Sequence, residues 1–524
     1  NITQAGKISG GAGGILATTI GAGLIAIDTA STVSATTWTA ISASAAGTGD
    51  VTIYAGDAVS SAANGVLPPG AGWLGGIYGS SAGGNVTITT LDTVDAASGI
   101  YASTSGKGAA NITTGDTVTA RSGDGVTASS VDGDSLVQIG VGGVKAQING
   151  VSATASGLGN VVIGIHGDVA ATDGVGVSAR SASGKIEIDL DKGTFVSGAV
   201  AGVSIATDSG TAILRNAANI AGTGLVGDGV VIDANAGAVT VENKGVIESI
   251  ANAINVKSGA ALIRNTGTID GVITSAAGTV ATLNNDGVWS NAAGSTLAYL
   301  NNTGTISFGA NNGTTDLITI SGDANFASTS TINMRVAATT VGGVTTVSTD
   351  AIVVKGQTTI NGGYINLSGP STGLARGMTF TLLSSTGGIT GAFSGVASSM
   401  NDFTGFVTND PNNIYLTLLG RDFRGYALNR NQYAAANGIW MGSAVLSNPA
   451  GVTLMQALNN SSDGEIPIAL TQISGDGIVS GANNAALQAG HMFTGAMADQ
   501  SAIWRSNGLN PVNSITLTEP FPYA

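Results

Sequence analysis

The residues able to do chemistry are few, and most of them are carboxylates. The densest acidic run is Ile186-Glu187-Ile188-Asp189-Leu190-Asp191, where alternation along a strand puts Glu187, Asp189 and Asp191 on one outward face. Two carboxylates about 5–9.5 Å apart across a groove are what glycosidic hydrolysis requires. The same three side chains, helped by Asp208 or Asp168 from adjoining coils, form an alternative oxygen set for calcium. The plainer expectation is a solvated strand face with Lys185 and Lys192 beside it. His166 and His491 are the two histidines; neither has a second histidine at ligand spacing, and cysteine is absent. No zinc or copper site is expected, and no cofactor.

Gly133-Asp134-Ser135-Leu136 spells the nucleophile motif of GDSL esterases. That motif belongs near the start of an α/β domain with a distant Asp-x-x-His, and here it falls in a repeat turn. Ser135 is therefore not expected to be a nucleophile, and the chain is not expected to be an enzyme. Aromatics make up only 5% of the sequence, which leaves few platforms for a sugar cleft. Tyr54, Trp73 and Tyr78 lie close together along the chain, and Trp73 follows Leu67-Pro68-Pro69-Gly70, an insertion that interrupts the coil rhythm. Loops projecting from a regular scaffold are where binding concentrates, so these three are the candidate recognition loop.

The elements that position these residues follow from composition. Of 524 residues, 81 are Gly and only 9 are Pro, and charged residues are 10%. A globular domain usually has roughly 25% charge. Mean hydropathy is +0.31, and Val, Ile, Thr, Gly and Asn dominate, which argues for a folded, β-rich chain with many turns. The net charge is −14, and Lys and Arg do not cluster, so a nucleic-acid surface is excluded. Stability without disulfides calls for a long continuous core. The start, Asn1-Ile2-Thr3-Gln4, lacks a charged n-region and an apolar h-region, so a signal peptide was either removed or never present. No run of about 18 apolar residues predicts a transmembrane helix.

Self-similarity sets the fold. One track of strand centres reads Ile88, Ile112, Ile139, Ile163, Ile188, Leu214, Val241 and Ile263. A second reads Val94, Val118, Val144, Val169, Phe195, Ile220, Ile247 and Ile269. A third reads Ile100, Val126, Val151, Val177, Val203, Val230 and Ile254. Intervals of about 22–27 residues are those of a solenoid, in which stacking buries what one coil cannot. The expected fold is all-β: a right-handed parallel β-helix, a three-strand solenoid, with a short α-helical C-terminal region. Roughly sixteen coils would make a rod on the order of 75–80 Å. From residue 243 the repeat tightens to Asn-x-Gly, at Asn243, Asn265 and Asn302 with a looser copy at Asn285, which predicts a stacked asparagine ladder.

Residues 310–420 change character. They include Thr381-Leu382-Leu383 followed by Gly387-Gly388-Ile389-Thr390-Gly391-Ala392-Phe393, and Ala469-Leu470-Thr471-Gln472-Ile473-Ser474-Gly475 lies downstream, with Phe493 beyond it. Together they resemble the C-terminal part of autotransporter (type V secretion) passenger domains, just ahead of the translocation barrel. The resemblance implies a β-helical passenger exported through an outer-membrane barrel. Such a barrel needs many further alternating strands, and the sequence given stops at Pro520-Phe521-Pro522-Tyr523-Ala524.

The expected organisation is solenoid repeats over 1–309, a passenger-end region over 310–420, a helical pre-barrel or capping region over 421–505 and a tail over 506–524. Helices are expected from Tyr426 to Leu446, Thr453 to Leu458 and Gly481 to Arg505. Trp440, Met441, Met492, Phe493 and Trp504 are expected to supply their apolar face. The function expected is that of a secreted cell-surface adhesin or self-associating fibre, associated with the outer membrane. Its partners would be surface or matrix glycans, or further copies of itself. The competing expectation is a polysaccharide hydrolase or lyase on the same scaffold.

Overall fold

A computed structural model describes residues 1–62, 75–309, 316–341, 344–370, 377–400, 403–419, 422–441, 461–474 and 484–507, with 374, 454, 457 and 458. The chain divides into two compact units: Asn1–Gly369 with Phe380–Val396 and Val407–Tyr415, and the remainder, dominated by Leu416–Ala524.

The first unit is a parallel β-solenoid of three ladders. Short strands of alternating burial, such as Val51–Ala55, Val86–Thr90 and Val151–Ala155, place every second side chain inside. Gly, Asp and Asn corners then turn the chain to the next face. In the first ladder Ile88, Ile112, Val137, Ile163, Ile188, Leu214, Val241 and Ile263 are register partners in succession. The second runs Val94, Val118, Val144, Val169, Val196, Ile220, Ile247 and Ile269. The third runs Ile100, Val126, Val151, Val177, Val203, Val230 and Ile254. These columns are fully buried, and each β-branched side chain removed from water contributes about 1.5–3 kcal/mol.

Two residues of the expected tracks stand elsewhere. Val137 holds the column position between Ile112 and Ile163, while Ile139, two residues on and on the same face, stacks between Thr114 and Ile165. Phe195 is 39% exposed and pairs with Asn219, because Val196 points inward. A one-residue slip reverses the face of a strand, and an aromatic among aliphatics conceals the slip.

One inner column of the first ladder changes chemistry along its length. It reads Thr90, Thr114, Ile139, Ile165, Leu190, Asn216, Asn243, Asn265, Asn285, Asn302 and Phe326. The five asparagines form the expected ladder, with Asn216 as an additional member. Each of the first four Nδ2 groups donates to the next Oδ1 at 2.7–2.8 Å, Asn302 Nδ2 donates to the Gly304 carbonyl at 3.1 Å, and no member is more than 1% exposed. Each of the first four Nδ2 groups also donates to a backbone carbonyl: Val246, Thr268, Val288 or Thr305. A buried amide is tolerated only when its groups are paired, and stacking identical residues pairs them.

Near the end of the solenoid an antiparallel hairpin, Thr331–Val341 with Val344–Thr349, projects from the coil. Arg335 anchors its base: Nη2 bonds Asp316 and Asp350, and Nε and the backbone N–H bond Asp350 Oδ2. Both aspartates are buried. Burial pushes the Asp350 carboxyl above its ordinary value, against the opposing bonds and charge of Arg335.

The second unit is helical from residue 423. A 3-10 turn, Phe423–Tyr426, precedes α1 (Arg430–Met441), α2 (Ile466–Ile473) and α3 (Asn484–Asn507). Phe423, Ala436, Ile439, Leu454, Leu458, Ile466, Leu470 and Ile473 form its core, with Phe493 packed against them. Met492 is instead 40% exposed, and Trp440 lies under the Arg424 guanidinium, 4.1 Å from the ring centroid. Periodicity predicts no helix over Ile466–Ile473, because the segment spans only eight residues, too few for a clear period. Among the described residues, no helix is long and apolar enough to cross a membrane.

Candidate functional surfaces

The candidate recognition loop does not assemble as a cluster. Tyr54 lies on the outer face of the first ladder between Asp28 and Thr89. Tyr78 lies on the outer face of the third, stacked on Tyr101 with centroids 5.5 Å apart and planes 4° apart. Trp73 lies outside the described residues. Tyr101 was the missed partner, and the signal for it is the recurrence of Ile77-Tyr78 as Ile100-Tyr101 at the coil period.

The acidic run is outward, and each of its members is answered by a neighbour. Arg215, from the next coil, is 3.1 Å from Asp189, 4.0 Å from Glu187 and 3.9 Å from Glu242. Arg264 is 4.0 Å from Glu242, and Lys185 bonds Glu187. Asp191 Oδ2 is 2.7 Å from His166 Nδ1. The Lys185 hydrogen bond, aided by the charges of Lys185 and Arg215, lowers the Glu187 carboxyl against a small burial penalty. Asp208 bonds Arg180, and Asp168 accepts the Phe195 N–H, so neither completes an oxygen set. Among the described residues no group of three His, Asp or Glu side chains is placed to hold a metal ion. The column Asp189–Arg215–Glu242–Arg264 is an alternating-charge ladder in which each exposed pair contributes about 0.2–1 kcal/mol.

Ser135 is fully buried, with Oγ 2.7 Å from the Thr154 carbonyl and 2.9 Å from Ser130 Oγ. Asp134 Oδ1 accepts the backbone N–H of Asn160 at 2.7 Å. The same corner repeats this stacking bond at Asp50–Asn85, Asn85–Ala109 and Asn160–Lys185. Both motif residues therefore serve coil stacking, and the hydroxyl is out of reach of a substrate.

Two further surfaces stand out among the described residues. The outer face of the third ladder carries two ranks in register: Ser42, Tyr78, Tyr101, Thr127, Ser152, Ser178 and Ser204, and beside it Ser44, Ser80, Ser103, Ser129 and Thr154. All are half-buried. Strand geometry sets neighbouring residues about 4.8 Å apart along a rank and about 6.6 Å between ranks, and Ser80 Oγ donates to Ser44 Oγ at 2.9 Å. Neither rank contains a charge over these coils until Arg180 follows Thr154.

The second surface is a groove of about 590 Å³ where the second ladder meets its corner toward the third. Its walls include Phe195, Thr223, Glu248, Ile250, Asp270 and Asn291, and no Lys or Arg lines it. The groove exists because successive corners differ in length. One runs through Thr223–Gly227, while only Gly271 separates Asp270 from Val272, which already pairs with Asn252. Gly271 has φ +135°, and a Cβ there would stand 2.7 Å from the Ser249 carbonyl oxygen, so the floor requires glycine. Corner length is not periodic, and no repeat-based reading could find this site.

No protein-family model matches the chain, and no curated protein matches its sequence.

Proposed function

We propose that this chain is a secreted bacterial β-solenoid passenger of autotransporter type, held at the cell surface, where it acts as an adhesin or self-associating fibre. The observation that carries the reading is the pair of uncharged hydroxyl ranks on the third ladder. Each net hydrogen bond is worth about 0.5–1.5 kcal/mol. An array of them, repeated over coils and over many copies, gains strength through valency. Glycans, which both donate and accept through every hydroxyl, suit such a face. The Gly387–Phe393 segment that carries the family resemblance fits the same reading. Ile389–Ala392 stacks on Thr358–Asn361, and Phe393 packs tilted against Phe326 at 5.8 Å.

The hydrolase or lyase alternative has less support. The two groove carboxylates, Glu248 and Asp270, are register partners on one face, so they do not flank a substrate from opposite sides. A triple variant, Ser42→Glu with Ser103→Glu and Ser152→Glu, puts charge on outward positions that are not register partners and leaves the core intact. Expected outcomes are an unchanged melting profile and an attachment to glycan-coated surfaces, or a cell–cell aggregation, reduced at least about tenfold. Undiminished attachment and aggregation would overturn the proposal.

A further inference from the structure

The unspent charge in the groove at Gly271 is all acidic. Ser249 Oγ is occupied by the Gly227 carbonyl and the Ala251 N–H, and Asp270 Oδ1 by Ser290 and Asn291. Glu248 has no hydrogen bond or ion pair among the described residues, in contrast to Glu187, Asp189 and Glu242 on the first ladder. Glu248 and Asp270 also stand directly opposite one another on adjacent strands. Like charges so placed repel, and nothing cationic lines the groove to relieve them. Apart from the Thr223 hydroxyl, what the groove offers a ligand is acceptors, two of them carboxylates, so a cationic donor answers it best.

The rim is apolar. Ile250 is 74% exposed, and on the preceding corners Val200 is 54%, Leu225 87% and Val226 86% exposed. Of these four Ile250 lines the groove, and exposed apolar side chains gathered on successive corners of a polar solenoid mark an interaction site. Phe195, 39% exposed, also lines the groove. A neutral saccharide would need protein donors as well as acceptors, and it would leave the aliphatic rim uncovered. An ammonium or guanidinium is donor-only and sits at the end of an apolar stem.

We propose that this groove binds an extended peptide segment presenting a lysine or arginine beside an aliphatic side chain. The cation lies between Glu248 and Asp270, and the aliphatic neighbour covers Ile250 and the Val200–Leu225–Val226 edge. A volume of about 590 Å³ lies within the range of about 300–1,000 Å³ usual for ligand pockets. The site is independent of the hydroxyl ranks, and the triple variant above is expected to leave it unchanged.

The test is fluorescence anisotropy on the full chain with a labelled, end-blocked Leu-Lys-Leu probe at low salt. The expected result is saturable binding that weakens as salt is raised and is absent for a Leu-Glu-Leu probe. Glu248→Gln, which keeps shape and removes charge, is expected to weaken binding at least fivefold, and Ile250→Ser likewise. Circular dichroism confirms that both variants remain folded. The proposal is overturned by equal binding to Glu248→Gln, by equal binding of the glutamate probe, or by no binding to the native chain. It is overturned equally if a glucosamine trimer binds in a Glu248-dependent way while the peptide does not, which would make the ligand an amino sugar.

Discussion

Replacing one rung of the asparagine ladder tests whether buried amides hold this solenoid or are merely accommodated. In Asn265→Leu, Asn285 Oδ1 loses its 2.8 Å donor, Asn243 loses the acceptor at 2.8 Å, and the Val288 carbonyl loses a 2.9 Å bond. Each stranded buried polar group costs about 1–3 kcal/mol, so the single change is expected to cost about 3–5 kcal/mol after partial relaxation. Replacing all five asparagines by leucine strands no side-chain amide; it leaves five carbonyls without their side-chain donors and the Ala218 N–H without its acceptor. The same column already accepts Ile139, Ile165 and Leu190. The five-fold variant is therefore expected to cost about twice the single one rather than five times as much. Long repeat arrays need not unfold in one step, so hydrogen exchange at the Asn243–Asn302 coils is read alongside guanidinium unfolding. A single variant within about 0.5 kcal/mol of the native chain, or costs that grow in proportion to the number of substitutions, would refute the reasoning.

Further outcomes follow from the buried groups. Arg335→Met leaves Asp316 and Asp350 buried without their cation and is expected to cost about 3–5 kcal/mol, read as faster hydrogen exchange in the Thr331–Val341 hairpin. Because the Asp350 carboxyl sits above its ordinary value, the folded chain holds that proton at a pH where the unfolded chain has lost it. Its contribution therefore falls as pH rises, and the Arg335→Met variant should regain stability when pH is lowered from 7 toward 4; a variant that weakens further on acidification contradicts this. Ser135→Ala is expected to cost about 1 kcal/mol through its lost buried bond and to leave any ester hydrolysis by the purified chain unchanged. A selective loss of hydrolysis would return Ser135 to catalysis.

Periodicity along the chain was enough to determine the solenoid, its three faces and most of its inner columns. A stack repeats its inward demand every coil, and Ile, Val and Asn recur wherever a column must be filled. The third track was legible residue by residue, as were Asn243, Asn265, Asn285 and Asn302. Errors entered at Ile139, which shares its inward face with Val137, and at Phe195, one residue from the inward Val196. The functional surfaces were less legible, because contact between different residues of different coils is not periodic. That Tyr54 and Tyr78 face different sheets, that Arg215 answers Asp189 and Glu187, and that Ser135 is buried all depend on how the chain turns its corners. The groove at Gly271 depends on one corner being shorter than its neighbours, a difference that acquires meaning only once the coils are stacked.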